Sequence, residues 1–207
     1  MGKTTKQLQP GTEEQILNAA RRVFTRKGFA AARMEDIAQE AGINRALLHY
    51  YFRSKDKMFD MVFKENMGKF FQGFITALQG KESFEEKIKR LISGELDTLI
   101  QNQDLPLFIV NEIAHNPEKL IGNMQHSHIG DFRKEFEKLV KAEIRKGNIK
   151  KVDPRQLMMN LLAMSVWPFI AKPLLMAIMD LDQKTFEKMM IQRKEIIADS
   201  ILLSIKK

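Results

Sequence analysis

The sequence predicts an all-α fold, and three observations carry that expectation. Apolar residues recur at helical spacing along most of the 207 residues, alternating strand patterns are almost absent, and helix start and stop signals punctuate the chain. A chain of this length can form one large helical domain or a small module joined to a larger one, in either case with a true core. With no cysteine it holds no disulfide framework, thiolate metal site or cysteine nucleophile.

The first helix is expected from Thr12-Glu13-Glu14-Gln15, which reads as a capping box. It runs through Ile16, Ala20, Val23 and Phe24 on one face to Arg26 and Lys27, with Gly28 as the stop. Residues 34 to 55, MEDIAQEAGINRALLHYYFRSK, then fit two short helices joined by a sharp turn. Ile37, Ala38 and Ala41 line the inner side of the first, and Ala38 is small enough for close approach. Gly42 can take the positive φ that such a turn needs. Ile43 plugs the corner, while Leu47 and Leu48 return apolar side chains at helical spacing. Phe29 and Phe52 are further core candidates. Asn44, Arg45, Ala46, His49 and Tyr50 are left on or near the outward face, which in a helix-turn-helix can enter a major groove. Ser54 is placed to cap the next helix, whose free amides, together with the Lys55 ammonium, suit a backbone phosphate.

Charge is unevenly spread. Up to Lys55 there are ten cations and five acids, net +5; the remaining 24 cations and 21 acids give +3 of the total +8. A basic amino end suits a polyanion such as DNA, because each phosphate neutralised by Lys or Arg releases condensed counterions.

Residues 12 to 63 resemble the amino-terminal domain of the tetracycline-repressor (TetR) family of bacterial transcription regulators. The residues that carry the resemblance are Ile37-Ala38, Ala41-Gly42-Ile43-Asn44, Leu48, the aromatic run Tyr50-Tyr51-Phe52, and Ser54-Lys55. It implies a DNA-binding domain over residues 1–54 and, over residues 55–207, a larger helical domain that binds a small effector and forms a dimer. The chain departs from the family pattern twice. His49 stands where a tyrosine is usual, so a phosphate contact there would come from the imidazole or from Tyr50. Ala32-Arg33 stands where Ser or Thr usually opens the second helix, so the cap must come from elsewhere, and Arg33 becomes a phosphate candidate. The expected DNA-binding set is therefore Arg33, Asn44, Arg45, Ala46, His49, Tyr50 and Lys55.

Turn signals divide the rest into helices over Lys55 to Leu78, Ser83 to Gln101, Asp104 to His115 and Pro117 to Lys146, the last broken near Gly122 or Gly130. Asp153 caps a helix with Pro154 at its first position, and a final helix covers Gln183 to Ile205. The longest apolar stretch, Gln156 to Ala171, is shorter than the about 20 residues a bilayer span needs, so no membrane partner is expected. The helix from Pro154 to Trp167 is apolar over most of its circumference, and the final helix has a wide apolar seam. Two such helices from each of two subunits predict a homodimer held by Met158, Leu162, Met189, Ile197, Ile201 and Ile205. A core helix pair within a monomer is the alternative.

Thirteen methionines suit an adaptable apolar cavity, although core filling is their commoner use. Asn111, His115, Met124, Met164 and Trp167 are the candidates for lining an effector pocket, with core packing the competing role of Trp167. Glu112 and His115, with His126 and His128 beyond, raise the question of a metal. A single Glu-x-x-His without a second copy argues against one, and neither metal nor cofactor is expected. The chain lacks a phosphate-cradling Gly-rich loop, a Gly-x-Ser-x-Gly elbow and a His-Glu-x-x-His, so an enzyme is not expected. The start MGKTTKQLQPGTEEQ has no secretory pattern, which points to the cytoplasm. The sequence therefore predicts a ligand-responsive regulator, a repressor that binds a pseudo-palindromic operator as a dimer and is released by an apolar or amphiphilic effector. A sequence-independent DNA-packaging protein is the rival; it would be basic and dimeric too, but needs no large apolar second domain.

Overall fold

The computed structural model describes residues 11–103, 105–115, 117–118, 121–122 and 129–207, with the backbone alone described for 65–67, 69–70, 72 and 129. Met124, His126 and His128 lie outside these residues, as do Asp104 and Asn116. Among the described residues the elements are all helices: α1 Thr12–Ala31, α2 Met34–Glu40, α3 Arg45–Tyr51, α4 Lys55–Leu78, α5 Phe84–Gln101, α6 Leu105–His115, α7 Ile129–Lys146, α8 Pro154–Ile170, α9 Lys172–Ile178 and α10 Gln183–Ile205. They form two compact units, Met1–Asn66 with Phe108–Asn123, and Met67–Leu107 with Met124–Lys207.

In the first unit, Ile16, Val23 and Phe24 of α1 meet Ile37, Leu48 and Phe52 in one apolar core. The core is extended by rings: Phe59 lies 5.3 Å from Phe24, 4.9 Å from Phe29 and 5.6 Å from Phe108 between centroids. These contacts explain why the compact unit runs past residue 54 and takes in part of α6. The α1 start differs from expectation, because Gly11 at φ 104 precedes the helix and Thr12 is already helical. Gln15 does not fold back as a capping box; its Nε2 donates to the Ala41 carbonyl at 2.9 Å and ties α1 to the end of α2. Gly28 breaks α1 at φ 71, ψ 166, but the chain resumes helical geometry to Ala31 instead of stopping.

The missing cap of α2 is supplied from inside the helix. Asp36 accepts from the Arg33 amide at 3.0 Å and from Lys27 Nζ at 2.9 Å. A guanidinium has no acceptor, so Arg33 itself cannot satisfy the helix amides. At the turn, Gly42 has φ 66 and the Ile43 amide donates to the Ala38 carbonyl at 3.0 Å. Ala38 and Ala41 are buried there, as close helix approach demands.

In the second unit, Ser83 and Glu86 form a reciprocal capping box at the start of α5. Arg90 caps the end of α4, donating to the Ala77 carbonyl at 2.7 Å and also to that of Gln79. Asp153 opens α8 by accepting from the Arg155 amide at 2.9 Å. The Arg155 guanidinium beside it holds the Asp153 carboxyl down at about 2. Pro168 lies inside α8, and the helix continues past it to Ile170. A proline has no N–H for the carbonyl four residues earlier, here that of Met164. Arg193 of α10 replaces that donor, its Nε reaching the Met164 oxygen at 3.0 Å. The bend comes at Ala171, where α8 and α9 diverge by 72°. Among the described residues no single helix is long and apolar enough to cross a membrane.

Candidate nucleic-acid interface

The outward face of α3 is built from its cap upward. Asn44 Oδ1 accepts from the Leu47 amide at 2.8 Å, which satisfies one of the orphan donors at the helix start. Leu48 anchors the inner face in the core. Arg45, Ala46, His49 and Tyr50 are exposed, and Tyr50 is 68% accessible. The Tyr50 and Tyr51 rings meet edge to face at 5.5 Å, which fixes the direction of the Tyr50 phenol.

Electrostatics sort the expected cations into two groups. Arg22 and Arg26 share Glu40 at 2.7 and 3.2 Å, Lys27 binds Asp36, and Arg45 binds Glu35 at 2.6 Å. Arg22, then Arg26, lowers the Glu40 pKa, while Lys27, then the Arg33 amide, lowers that of Asp36. These carboxylates stay ionised and stitch the module together. Arg21, Arg33 and Arg53 are exposed and make no ion pair among the described residues. Arg53, in the link between α3 and α4, was not singled out by sequence reasoning. Its only signal was its place in the basic count.

Lys55 is more constrained than a solvated phosphate ligand. Its Nζ donates to the carbonyls of Phe29 at 2.7 Å and Ala32 at 3.0 Å and lies 4.3 Å from the centre of the Phe29 ring. Any phosphate it meets must share the ammonium with these groups. Ser54 does cap α4, with its Oγ accepting from the Lys57 amide at 3.2 Å.

The candidates for an effector pocket are divided between the two units. Asn111 and His115 belong to the first unit, where Asn111 Nδ2 donates to the Thr25 carbonyl at 3.3 Å and His115 Nδ1 lies 2.8 Å from the Asn111 oxygen. Met164 and Trp167 belong to the second unit, and Trp167 is 59% exposed, which does not fit its competing role in core packing. Met124 lies outside the described residues. Among the described residues no cluster of His, Cys, Asp or Glu could hold a metal ion.

Of the expected dimerisation set, Ile197, Ile201 and Ile205 are buried within the subunit. Met158 and Leu162 are half-buried, whereas Met189 is exposed. The apolar face left open on α10 is Met189, Ile196 and Leu203, spaced by seven, and Met159 and Trp167 are exposed on α8. The final helix carries two apolar stripes, and periodicity alone cannot say which one its own subunit covers.

Residues 16–62 match the family described as bacterial regulatory proteins, tetR family. The chain is 28% identical over 102 residues to the fatty acid metabolism regulator protein of Bacillus subtilis, covering 49% of this chain and 53% of that one. It is 28% identical over 104 residues to the HTH-type transcriptional repressor NicS of Pseudomonas putida, covering 50% and 49%. The match thus spans about half the length of these relatives. Over nearly its full length the fold is similar to the crystal structure of the regulator FadR from Bacillus subtilis in complex with stearoyl-CoA. The TM-score is 0.65 at 19% identity, covering 89% of this chain and 97% of that one.

Proposed function

We propose that this chain, whose residues 16–62 match the tetR family of bacterial regulatory proteins, is a dimeric operator-binding repressor released by an apolar or amphiphilic effector. The observation that carries the reading is α3 itself, a capped helix locked by Leu48 with Arg45, Ala46, His49 and Tyr50 outward. Base edges are read by this face. Arg33 and Arg53 take backbone phosphates from either side, and the α4 amides beside Lys55 add a neutral contact.

Two copies present their α3 helices to successive major grooves, about 34 to 36 Å apart or a multiple of that distance. The open apolar residues of α8 and α10 supply the two-fold contact. An effector that favours another spacing draws the population away from DNA, and by linkage DNA weakens the effector to the same degree. A relative and structural neighbours named for fatty acid regulation, and a further neighbour bound to stearoyl-CoA, make a long acyl amphiphile the first effector to try.

Selection of duplexes from a random pool by the full chain tests the reading. The expected result is one enriched pseudo-palindrome bound at least about 10³-fold more tightly than random duplex and released by stearoyl-CoA. Equal grip on selected and random duplex would instead support a packaging protein.

A further inference from the structure

At Gly28 the backbone of α1 leaves helical geometry, and side chains from two other helices grip the chain on either side of the break. The Phe29 amide donates to Glu112 Oε1 at 2.9 Å. Asn111, the preceding residue on α6, donates through Nδ2 to the Thr25 carbonyl at 3.3 Å. From α4, Lys55 Nζ holds the carbonyls of Phe29 and Ala32. Glu112 is 1% exposed, so its bond to the amide is shielded from water. Phe108, one turn earlier on α6, is seated against Phe59 and Phe63 at 5.6 and 6.4 Å. The grip therefore comes from a helix that is itself anchored in the core.

The position of this grip gives it a consequence. Phe29 to Ala32 lead directly into Arg33, where α2 begins, and α2 fixes α3 through the tight turn at Gly42. Whatever sets the direction of the chain as it leaves Gly28 sets the direction of the reading helix. A carboxylate that accepts from a backbone amide makes a charge-assisted bond, and losing it strands a buried donor. The geometry points to Asn111 and Glu112 as positioning residues for DNA reading, a clasp that lies 83 residues from Phe29 in sequence and sets the angle at which α3 is presented. Neither side chain need touch DNA. The inference rests on the reading of the first unit as a DNA binder.

The test uses the full chain with Glu112→Ala, Glu112→Gln and Asn111→Ala. Amide exchange over residues 25–32 reports the clasp. Affinity and salt slope on a duplex enriched by the wild type report the reading helix. Glu112→Ala should speed exchange and weaken binding by roughly tenfold or more, since at least one buried hydrogen bond goes, with the salt slope unchanged because no phosphate contact goes. Glu112→Gln, which keeps an acceptor oxygen, should restore most of both. Faster exchange with unchanged affinity would reduce the clasp to a structural brace and overturn the inference. Unchanged exchange would overturn it more directly. If Glu112→Ala does not fold, Glu112→Gln against Asn111→Ala makes the same comparison. A wild type that enriches no duplex would refute DNA reading itself, and the exchange result would still judge the hydrogen bond.

Discussion

Two buried glutamates, one in each unit, are treated in opposite ways. Glu112 accepts a backbone amide at the break in α1, whereas neither oxygen of Glu95 on α5 has a hydrogen-bond partner. The Ser165 hydroxyl acts to lower the Glu95 pKa but is committed to the Leu161 carbonyl at 2.9 Å. Burial dominates and raises the Glu95 pKa to about 8. The first unit spends its polar side chains on holding a direction: Gln15, Asp36, Asn44, Lys55 and Glu112 each tie down a backbone group that a break or helix end exposes. The second unit ties down backbone groups too, through Ser83, Arg90, Asp153 and Arg193, but its apolar packing of α5, α8 and α10 also buries a neutral carboxyl at a cost in stability.

The largest expected effect separates the two apolar stripes of α10. Ile196→Asp with Leu203→Asp charges the open stripe, so sedimentation should show monomers, and operator affinity should fall by about 10² to 10⁴, the advantage of bivalent binding. Ile201→Asp, on the covered stripe, should instead destabilise the fold itself, because it buries an unpaired charge. A double variant that stays dimeric would place the seam elsewhere.

Next comes the carboxyl that the second unit leaves unpaired. A Glu95 pKa raised from 4.5 to about 8 means that the unfolded chain ionises first. Folding then costs nothing extra below about pH 4.5, progressively more up to pH 8, and a constant amount above it. Glu95→Gln removes that penalty and should stabilise the protein by about 3 kcal/mol at pH 7, where unfolding by urea at fixed protomer concentration measures it. At pH 4 wild type and variant should nearly coincide. A pH-independent difference would mean that the Glu95 pKa is the same in the folded and the unfolded chain.

The same contrast decides what could be read from the chain. The helix-turn-helix was legible because its signals are local: a small residue at Ala38, a glycine able to adopt φ 66, and Leu48 at helical spacing. The extent of α10 and the caps at Ser83 and Asp153 were legible for the same reason. Non-local pairings were not. Nothing in the order of residues announces that Glu112 meets the Phe29 amide, that Lys55 caps a break in α1, or that Arg193 rescues the carbonyl orphaned by Pro168. Asn111 and His115 looked like pocket residues because they are polar on an apolar helix. That pattern fits a side chain serving a neighbouring backbone equally well.

Smaller effects sharpen the account of the first unit residue by residue. Asn44→Ala removes the cap of α3 and should cost about 1 kcal/mol in thermal unfolding, while Asn44→Ser should recover most of it. If Asn44→Ser keeps stability but changes the preferred operator, Asn44 also reads a base. Smallest is the effect of the unpaired cations. Arg53→Ala should weaken selected and random duplex alike and reduce the salt slope by about 1, since one phosphate contact is lost without touching the fold. Arg45→Ala should behave differently, because its guanidinium already serves Glu35 and must be withdrawn from that pair to meet a base. Its loss should fall on sequence preference more than on salt dependence. Equal slopes for the two variants would mean that Arg45 too is a phosphate ligand, and base reading would then pass to Ala46, His49 and Tyr50.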